Sequence, residues 1–396
     1  MKGSHMKVRL VRLLGLALAL SLCHALPAQS ADAPYEINVI LSLTGQGAFI
    51  GKSNQDMLSA FETSINKAGG IKGQPIHFVY ADDQTSPQVA VQLASALLAK
   101  GVPVILGPTI TATCRAVAPL MVNGPVDYCL SPGLQPTKDS YTFSVSVATT
   151  DMIGVALRYF RERGWHRIAR LTTTDATGQD ADTAFAKWMA DPANKDLTIV
   201  ADEKFNVTDI SATAQMARIK AAQPQVVVVW ATGTPMGTAL RAYGDAGLGV
   251  PMFVSNSNMT TTQAKQYAGI TPQDYYSAAP GYVVHIAPSA GSKRAQDLYF
   301  NSIGAAGITN DYVAGIVWDA ALIVTNDLQR TGTKATAAQV RDYIEHLGSF
   351  PGISGTYDFT DGSQRGLGAS NIMVMRFDRS SMGWLSVSNF GGSPKH

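Results

Sequence analysis

Val226-Val227-Val228-Val229 decides the architecture. Four consecutive β-branched residues have no polar face. A strand of that kind is stable only where both faces are covered, as in a parallel sheet with helices on each side. The same block recurs outward from it. Residues 168–172, 198–203 and 251–255 read as strands, separated by helices near 180–189, 210–221 and 235–246. Toward the N-terminus, strands at 36–42, 75–80, 102–106 and 126–130 alternate with helices at 51–68, 87–98 and 112–122. Ser86 caps the second of these helices and Pro87 takes its first position. Such alternation builds βαβ units and a parallel sheet.

Two arrays of this kind predict an α/β protein of two Rossmann-like lobes, each a mainly parallel sheet flanked by helices. The 396 residues also exceed what one ordinary core accommodates. The C-terminal part breaks the symmetry, with helices at 289–303, 310–329 and 337–347 and strands at 371–377 and 383–389 that suit an antiparallel edge pair. These helices would overcrowd the second array, so the chain is expected to cross between lobes near 146–151, 281–287 and 355–362. Three crossings make a hinge that bends without letting the lobes drift apart. The expected division is 31–148 plus 286–355 for lobe 1 and 149–285 plus 356–396 for lobe 2.

The composition, 46% hydrophobic and 15% charged, is that of a folded globular chain. A formal net charge of +2, with no run of like charges, gives no electrostatic basis for nucleic-acid binding. Residues 1–6 read as a cloning scar or an upstream start. Lys7, Arg9 and Arg12 then precede the apolar run 13–22, with Pro27 and small residues around Ser30 after it. That layout predicts a cleavable export signal over 1–30, cut after Ser30 or at the next small pair, Ala31 and Ala33. Cys23 follows the large Leu22, which argues against a lipoprotein. No other run is long enough to span a bilayer, so the expectation is an exported, periplasmic protein that is not membrane-inserted. In that compartment Cys114 and Cys129 are either bridged or two buried thiols.

Three stretches carry a family resemblance. They are Leu41-Ser42-Leu43-Thr44-Gly45-Gln46-Gly47-Ala48-Phe49-Ile50-Gly51, then Ala81-Asp82-Asp83-Gln84-Thr85-Ser86-Pro87, then Ile105-Leu106-Gly107-Pro108-Thr109 with Leu130-Ser131-Pro132-Gly133 after it. In this order and spacing the chain resembles the leucine/isoleucine/valine-binding protein family, the type I periplasmic solute-binding proteins of ABC importers. The resemblance covers nearly the whole mature chain. It implies two lobes on a three-segment hinge, a ligand in the cleft, closure on binding, a permease partner and a monomer, with no enzymatic activity and no cofactor.

In open α/β sheets ligands bind beyond the carboxyl ends of strands, which selects the loops after Ser42, Leu106, Leu130, Thr172, Trp230 and Ser255. The loop carrying Thr109 and Thr111 opens a helix, whose free backbone donors attract carboxylates. Thr111 is then either a ligand contact or an N-cap. The resemblance implies that Thr111, Gly133 and Gln135 hold a ligand carboxylate, although Gln135 replaces a small hydroxyl residue. It also implies an acidic residue near Asn256 in amino-acid binders. Asn256 is neutral, and an amide dipole offsets a buried ammonium poorly. An α-amino acid is thus disfavoured unless Asp175 supplies the charge. The expected ligand is a carboxylate without an ammonium, an aromatic acid first, with a polar substituent facing Asn256 or Ser257. Phe49, Ile50, Trp230 and Tyr282 are candidate apolar walls or core residues. Arg115 is a candidate carboxylate partner or an ion-pair residue. Asp175, Thr177 and Gln179 are contacts or caps.

Three rivals are weaker. The glycines at 45, 47 and 51 follow a strand as in a dinucleotide fingerprint, but the last is one residue late. His77, His166, His285 and His346 show no metal-ligand spacing, and no Gly-x-Ser-x-Gly elbow is present. Asp82 and Asp83 resemble an acid/base pair, but neighbours on a strand point to opposite faces, and both read as turn and cap residues. A periplasmic sensor module remains, which would need a separate output partner.

Overall fold

The computed structural model describes residues 33–395; the export signal, Cys23 and the cleavage point after Ser30 lie outside the described residues. The first sheet contains β1 (Tyr35–Leu41), β2 (Ile76–Asp82), β3 (Val104–Leu106), β4 (Val126–Cys129) and β5 (Thr142–Ser144) in the order β2-β1-β3-β4-β5. All its pairings are parallel. The second sheet begins with β6 (Arg167–Thr173), β7 (Thr198–Phe205), β8 (Val226–Trp230), β9 (Met252–Val254) and β10 (Tyr275–Pro280). After a two-residue pair, β11 (Phe350–Pro351) and β12 (Thr356–Tyr357), the second sheet is completed by β13 (Ile372–Asp378) and β14 (Gly383–Ser386). Its order is β14-β13-β10-β9-β8-β6-β7, parallel except at β13 and β14, the antiparallel edge pair expected from the sequence.

β8 shows why the valine run had to be internal. All five residues are buried. Val226, Val228 and Trp230 enter the large core that also contains Val39 and Val104, while Val227 and Val229 enter a second core with Met216 and Leu240. A polar residue on either face would lose its water without gaining a partner.

The helices are α1 (Ala48–Lys67), α2 (Pro87–Ala99), α3 (Thr111–Val117), α4 (Thr149–Glu162), α5 (Ala176–Met189), α6 (Thr213–Ala221), α7 (Thr234–Asp245), α8 (Thr261–Tyr267), α9 (Ala290–Ala306), α10 (Tyr312–Thr331) and α11 (Ala337–Glu345). Ser86 accepts a hydrogen bond from Val89 N and starts α2 as expected. α1 packs on α9 and α10, α11 on β4, and α4 on α5, β10 and β13. Among the described residues no helix is long and apolar enough to cross a membrane.

The sequence reading missed α4, α8, β5, β10 and the β11–β12 pair. β5 is only three residues long, too short for a periodicity to show. β10, Tyr275–Pro280, is buried throughout, but its Ser-Ala-Ala-Pro end lacks β-formers. α4 begins in the stretch expected to be a crossing, and its first turn, Thr149-Thr150-Asp151, hides the apolar stripe that starts at Met152.

Two glycines bring helices hard against strand ends. A Cβ on Gly51, in the first turn of α1, would lie 2.0 Å from the Ser42 carbonyl oxygen. A Cβ on Gly178, in the first turn of α5, would lie 1.7 Å from the Thr173 carbonyl oxygen. Only glycine permits this approach, which occurs at the first βα unit of each sheet.

Candidate ligand-binding site

Residues following β1, β3, β4, β6, β8 and β9 converge on one cavity of about 50 Å³. That is room for roughly three or four waters, so a guest as large as an aromatic acid enters only when the two sheets stand further apart than here. Ile50, Thr109, Thr111 and Ser131 line it from the first sheet. Thr177, Asp180, Trp230 and Asn256 line it from the second, and Tyr312, Val313 and Ile316 from α10. The cavity lies at the strand ends that the rule selects. A larger open groove of about 420 Å³ between α1 and α9 has none of the buried unpartnered polar groups found here.

On the first-sheet side, Thr111 Oγ1 lies 2.7 Å from Ser131 Oγ. Thr111 does not cap its helix: Ile110 takes the cap position and no side chain caps α3. The hydroxyl is thus directed across to the loop after β4, which removes the capping explanation. α3 is also only seven residues long, so its dipole adds little. Thr109 accepts a hydrogen bond from Ser42 N at 3.2 Å, joining the loops after β1 and β3. A disulfide joins Cys114, one turn along α3, to Cys129, two residues before Ser131.

Behind this wall lies Arg365, which is 6% exposed. Its guanidinium donates to Ser144 Oγ, Ser146 O, Pro132 O and Leu134 O. All four acceptors are neutral. Burial lowers its pKa to about 10, so it stays charged at neutral pH. Ser146 Oγ also lies 2.5 Å from Tyr312 Oη at the cavity wall.

On the second-sheet side, Asn256 is 1% exposed; its Nδ2 approaches Met152 Sδ at 2.8 Å, and its Oδ1 has no partner. Ser257 bonds Thr232 and Ser255 through their hydroxyls. Asp180 is the acidic residue the sequence reading did not find. Its Oδ1 lies 3.5 Å from Arg115 Nη2, and its Oδ2 accepts no well-formed hydrogen bond. Burial raises its pKa, while Thr149, Arg115, Arg365 and Gln135 oppose the rise. Arg115 also donates to Gly133 O at 3.2 Å, so it bridges the two sheets through α5.

Six residues named from the sequence as candidate contacts do not reach the cavity wall. Asp175 is used as the α5 cap, accepting from Gly178 N and Thr173 Oγ1. Tyr282 is fully buried behind Tyr312 and donates to its carbonyl at 2.5 Å. Phe49 is half-buried, with its ring edge beside Gly233. Gly133 lies behind Thr111, where a Cβ would come 2.5 Å from Thr111 Oγ1. Gln135 is exposed, close to the Asp180 carboxyl. Gln179 bonds Thr174 O locally.

The loop geometry removes the dinucleotide reading. Gly47 N already donates to Thr85 Oγ1, and a Cβ on Gly45 would come 2.6 Å from Gln84 O. The glycines serve the loop after β2 and leave no cradle for a pyrophosphate. Asp82 and Asp83 join the same loops, accepting from Leu43 N and Ser42 Oγ.

Asp180 had a legible signal, since it follows Thr177 by three residues and shares the buried stripe of Gly178, Ala181 and Ala184. Tyr312 and Arg365 had none, because neither follows a strand of the parallel arrays.

A cavity at the carboxyl ends of two helix-flanked parallel sheets, lined from both, defines a two-sided solute-binding protein. Residues 34–381 match the family described as periplasmic binding protein, and the chain belongs to that family. The chain is 24% identical over 246 residues to a Leu/Ile/Val-binding protein homolog 1 from Brucella melitensis, covering 61% of this chain and 65% of the relative. It spans about two-thirds or less of the first curated relatives it matches. An extracellular ligand-binding receptor from Rhodopseudomonas palustris superimposes with a TM-score of 0.79 at 17% identity, covering 90% of this chain and 99% of that one. An ABC transporter solute binding protein from R. palustris, in complex with benzoate, gives 0.74 at 16% identity, covering 91% and 97%. At these identities the structural likenesses establish the fold.

Proposed function

We propose that this chain is the periplasmic solute-binding component of an ABC importer and captures a small organic carboxylate, an aromatic acid first, in the cavity between its two sheets. The observation that carries the reading is the hydroxyl pair Thr111–Ser131 on the cavity wall, with a buried guanidinium, Arg365, behind it whose partners are all neutral. A buried cation whose hydrogen bonds all go to neutral groups, with Asp151 and Asp180 offsetting its charge only from a distance, favours an anionic guest. Trp230, Ile50 and Ile316 supply flat and branched apolar walls. The benzoate complex of a relative with the same fold is consistent with an aromatic acid.

In this reading Ile50, Thr109, Thr111, Thr177, Trp230 and Asn256 contact the ligand. Residues 33–148 plus 286–367 form one lobe and 149–285 plus 368–395 the other; the boundary expected at 355 moves on because β12 pairs with β11 and Gln364 and Arg365 bond Ser140, Ser144 and Leu134. A ligand touching both lobes binds the closed form better and shifts the open–closed population. Closed lobes then present their rims to a permease.

A second reading, an α-amino acid, is favoured by one observation: Asp180 puts a carboxylate beside the cavity, where the sequence offered the neutral Asn256 and, for the charge, Asp175, which caps α5 instead. A thermal-shift screen separates the two, because a ligand that binds the folded state raises Tm. Benzoates and aliphatic monocarboxylates should raise Tm more than free amino acids do. A shift with leucine alone would replace the first reading with the second.

A further inference from the structure

Two residues at the start of α10 hold the segment that follows β9. Asp311 caps α10, its Oδ1 accepting from Ala314 N at 2.8 Å. Its Oδ2 accepts from Thr261 N, the first residue of α8, at 3.3 Å. The next residue, Tyr312, donates its own N–H to Met259 O at 3.2 Å. α10 falls in the first lobe and Met259 and Thr261 in the second, so both bonds cross between lobes. α8 has a cap of its own, Thr260 Oγ1, which takes Gln263 N at 3.1 Å and leaves Thr261 N to Asp311.

Asp311 is 9% exposed. Burial raises its pKa to about 6, opposed by backbone bonds from Ala314, Thr261 and Val313, so at pH 7.5 it is an ionised acceptor. Hydrogen bonds to an ionised acceptor are among the stronger kinds. The bond to Ala314 N already fixes the side chain inside its own lobe, so its second oxygen is held in place at little further entropic cost. The segment it grips is the one that carries Asn256 and Ser257 to the cavity wall, opposite Tyr312.

We propose that Asp311 is an interlobe latch: its carboxylate caps a helix of the first lobe and, by accepting from Thr261 N of the second, favours the shut arrangement whatever the ligand. When the lobes part, Ala314 N keeps its partner and Thr261 N loses it, so the strength of that one bond enters the open–closed ratio directly. This rests on the two-lobe reading above and not on the identity of the guest.

Two substitutions separate the latch from the cap. Asp311→Ser keeps one oxygen for Ala314 N, serine being a good N-cap, and removes the other. Thr261→Pro removes the N–H from the opposite side. Proline fits the first position of a helix, and Thr260 before it is already extended, at φ −114° and ψ 145°. Spin labels on Lys52→Cys and Thr208→Cys, exposed positions beyond a strand end in each lobe, report the separation by pulsed electron resonance. Cys114 and Cys129 are bridged and take no label.

After unfolding and refolding to strip bound solute, the protein with native Asp311 and Thr261 should show a short distance, that of this structure, beside a longer one. Each substitution should lower the short-to-long ratio about tenfold, the effect of one hydrogen bond to a charged group. The double variant should lower it no further, because both changes remove the same bond. A ratio that ignores either substitution, effects that add in the double variant, or the long distance alone without any substitution would overturn the proposal and leave the two lobes standing. One unvarying short distance in all four proteins would remove the two-lobe reading and the proposal together. If Asp311→Ser does not fold, the ratio in Thr261→Pro decides.

Discussion

Thr111 Oγ1 and Ser131 Oγ lie 2.7 Å apart although they belong to different strand-end loops, and the only local bond of the two is the one Ser131 Oγ accepts from Gly133 N. In such a pair one proton is used between the oxygens and one is left for a third partner. An arriving carboxylate can take both as the hydroxyls rotate. Thr111→Val keeps the shape and removes one donor. The expected loss of affinity for the best carboxylate is about 1.5–3 kcal/mol, read by calorimetry. Unchanged affinity would take Thr111 out of the site.

Arg365 holds four acceptors that otherwise fall silent in a dry interior. Arg365→Met should lower stability by at least about 2 kcal/mol and reduce carboxylate affinity in the same variant. Arg365→Lys restores the charge without the fork geometry and should recover affinity better than stability. Denaturant unfolding and calorimetry on both variants check this; equal affinities across wild type, Met and Lys would separate Arg365 from anion capture.

The bridge between Cys114 and Cys129, one of two states open in the sequence, closes a loop with a separation of 15 residues. A loop of that size is worth about 3 kcal/mol on the chain-entropy view. Reduction should therefore lower the denaturation midpoint. Because Thr111 precedes Cys114 by one turn, reduction should also weaken ligand binding. A reduced protein with the oxidised midpoint would contradict the first part.

Asp327, on the buried face of α10, has its pKa raised to about 6 by burial, with Thr331 opposing. Its Oδ2 has no partner. The folded state therefore prefers the protonated acid. Its contribution to stability is present below the unfolded value near 4 and is lost as pH rises through about 6. Asp327→Asn mimics the neutral form. It should stabilise the protein relative to wild type by about 1–3 kcal/mol at pH 7.5 and by little at pH 4.5. Urea unfolding at the two pH values reads the difference, and an equal effect at both would refute the assignment.

Much of the fold was legible because parallel sheets write themselves into sequence as apolar runs such as Val226–Val229 between amphipathic helices. The cavity followed from the strand-end rule, which selected the loops that carry Ile50, Thr109, Thr111, Trp230 and Asn256. What was not legible has physical reasons. Asp175 and Asp180 are both acidic and stand five residues apart, and only the cap geometry shows which is used up locally. Tyr282 and Tyr312 are both buried tyrosines near the site, and which fronts the cavity depends on how α10 enters the core. Arg365 lies between elements and reaches back across more than two hundred residues of sequence to Leu134 and Ser146, a relation no local pattern carries.

Small-angle scattering, with and without saturating amounts of the carboxylate that raises Tm most, tests the account most directly. The account predicts a smaller radius of gyration in the bound sample, as two lobes close over the solute. An identical radius at saturation, or no carboxylate that raises Tm at all, would contradict it.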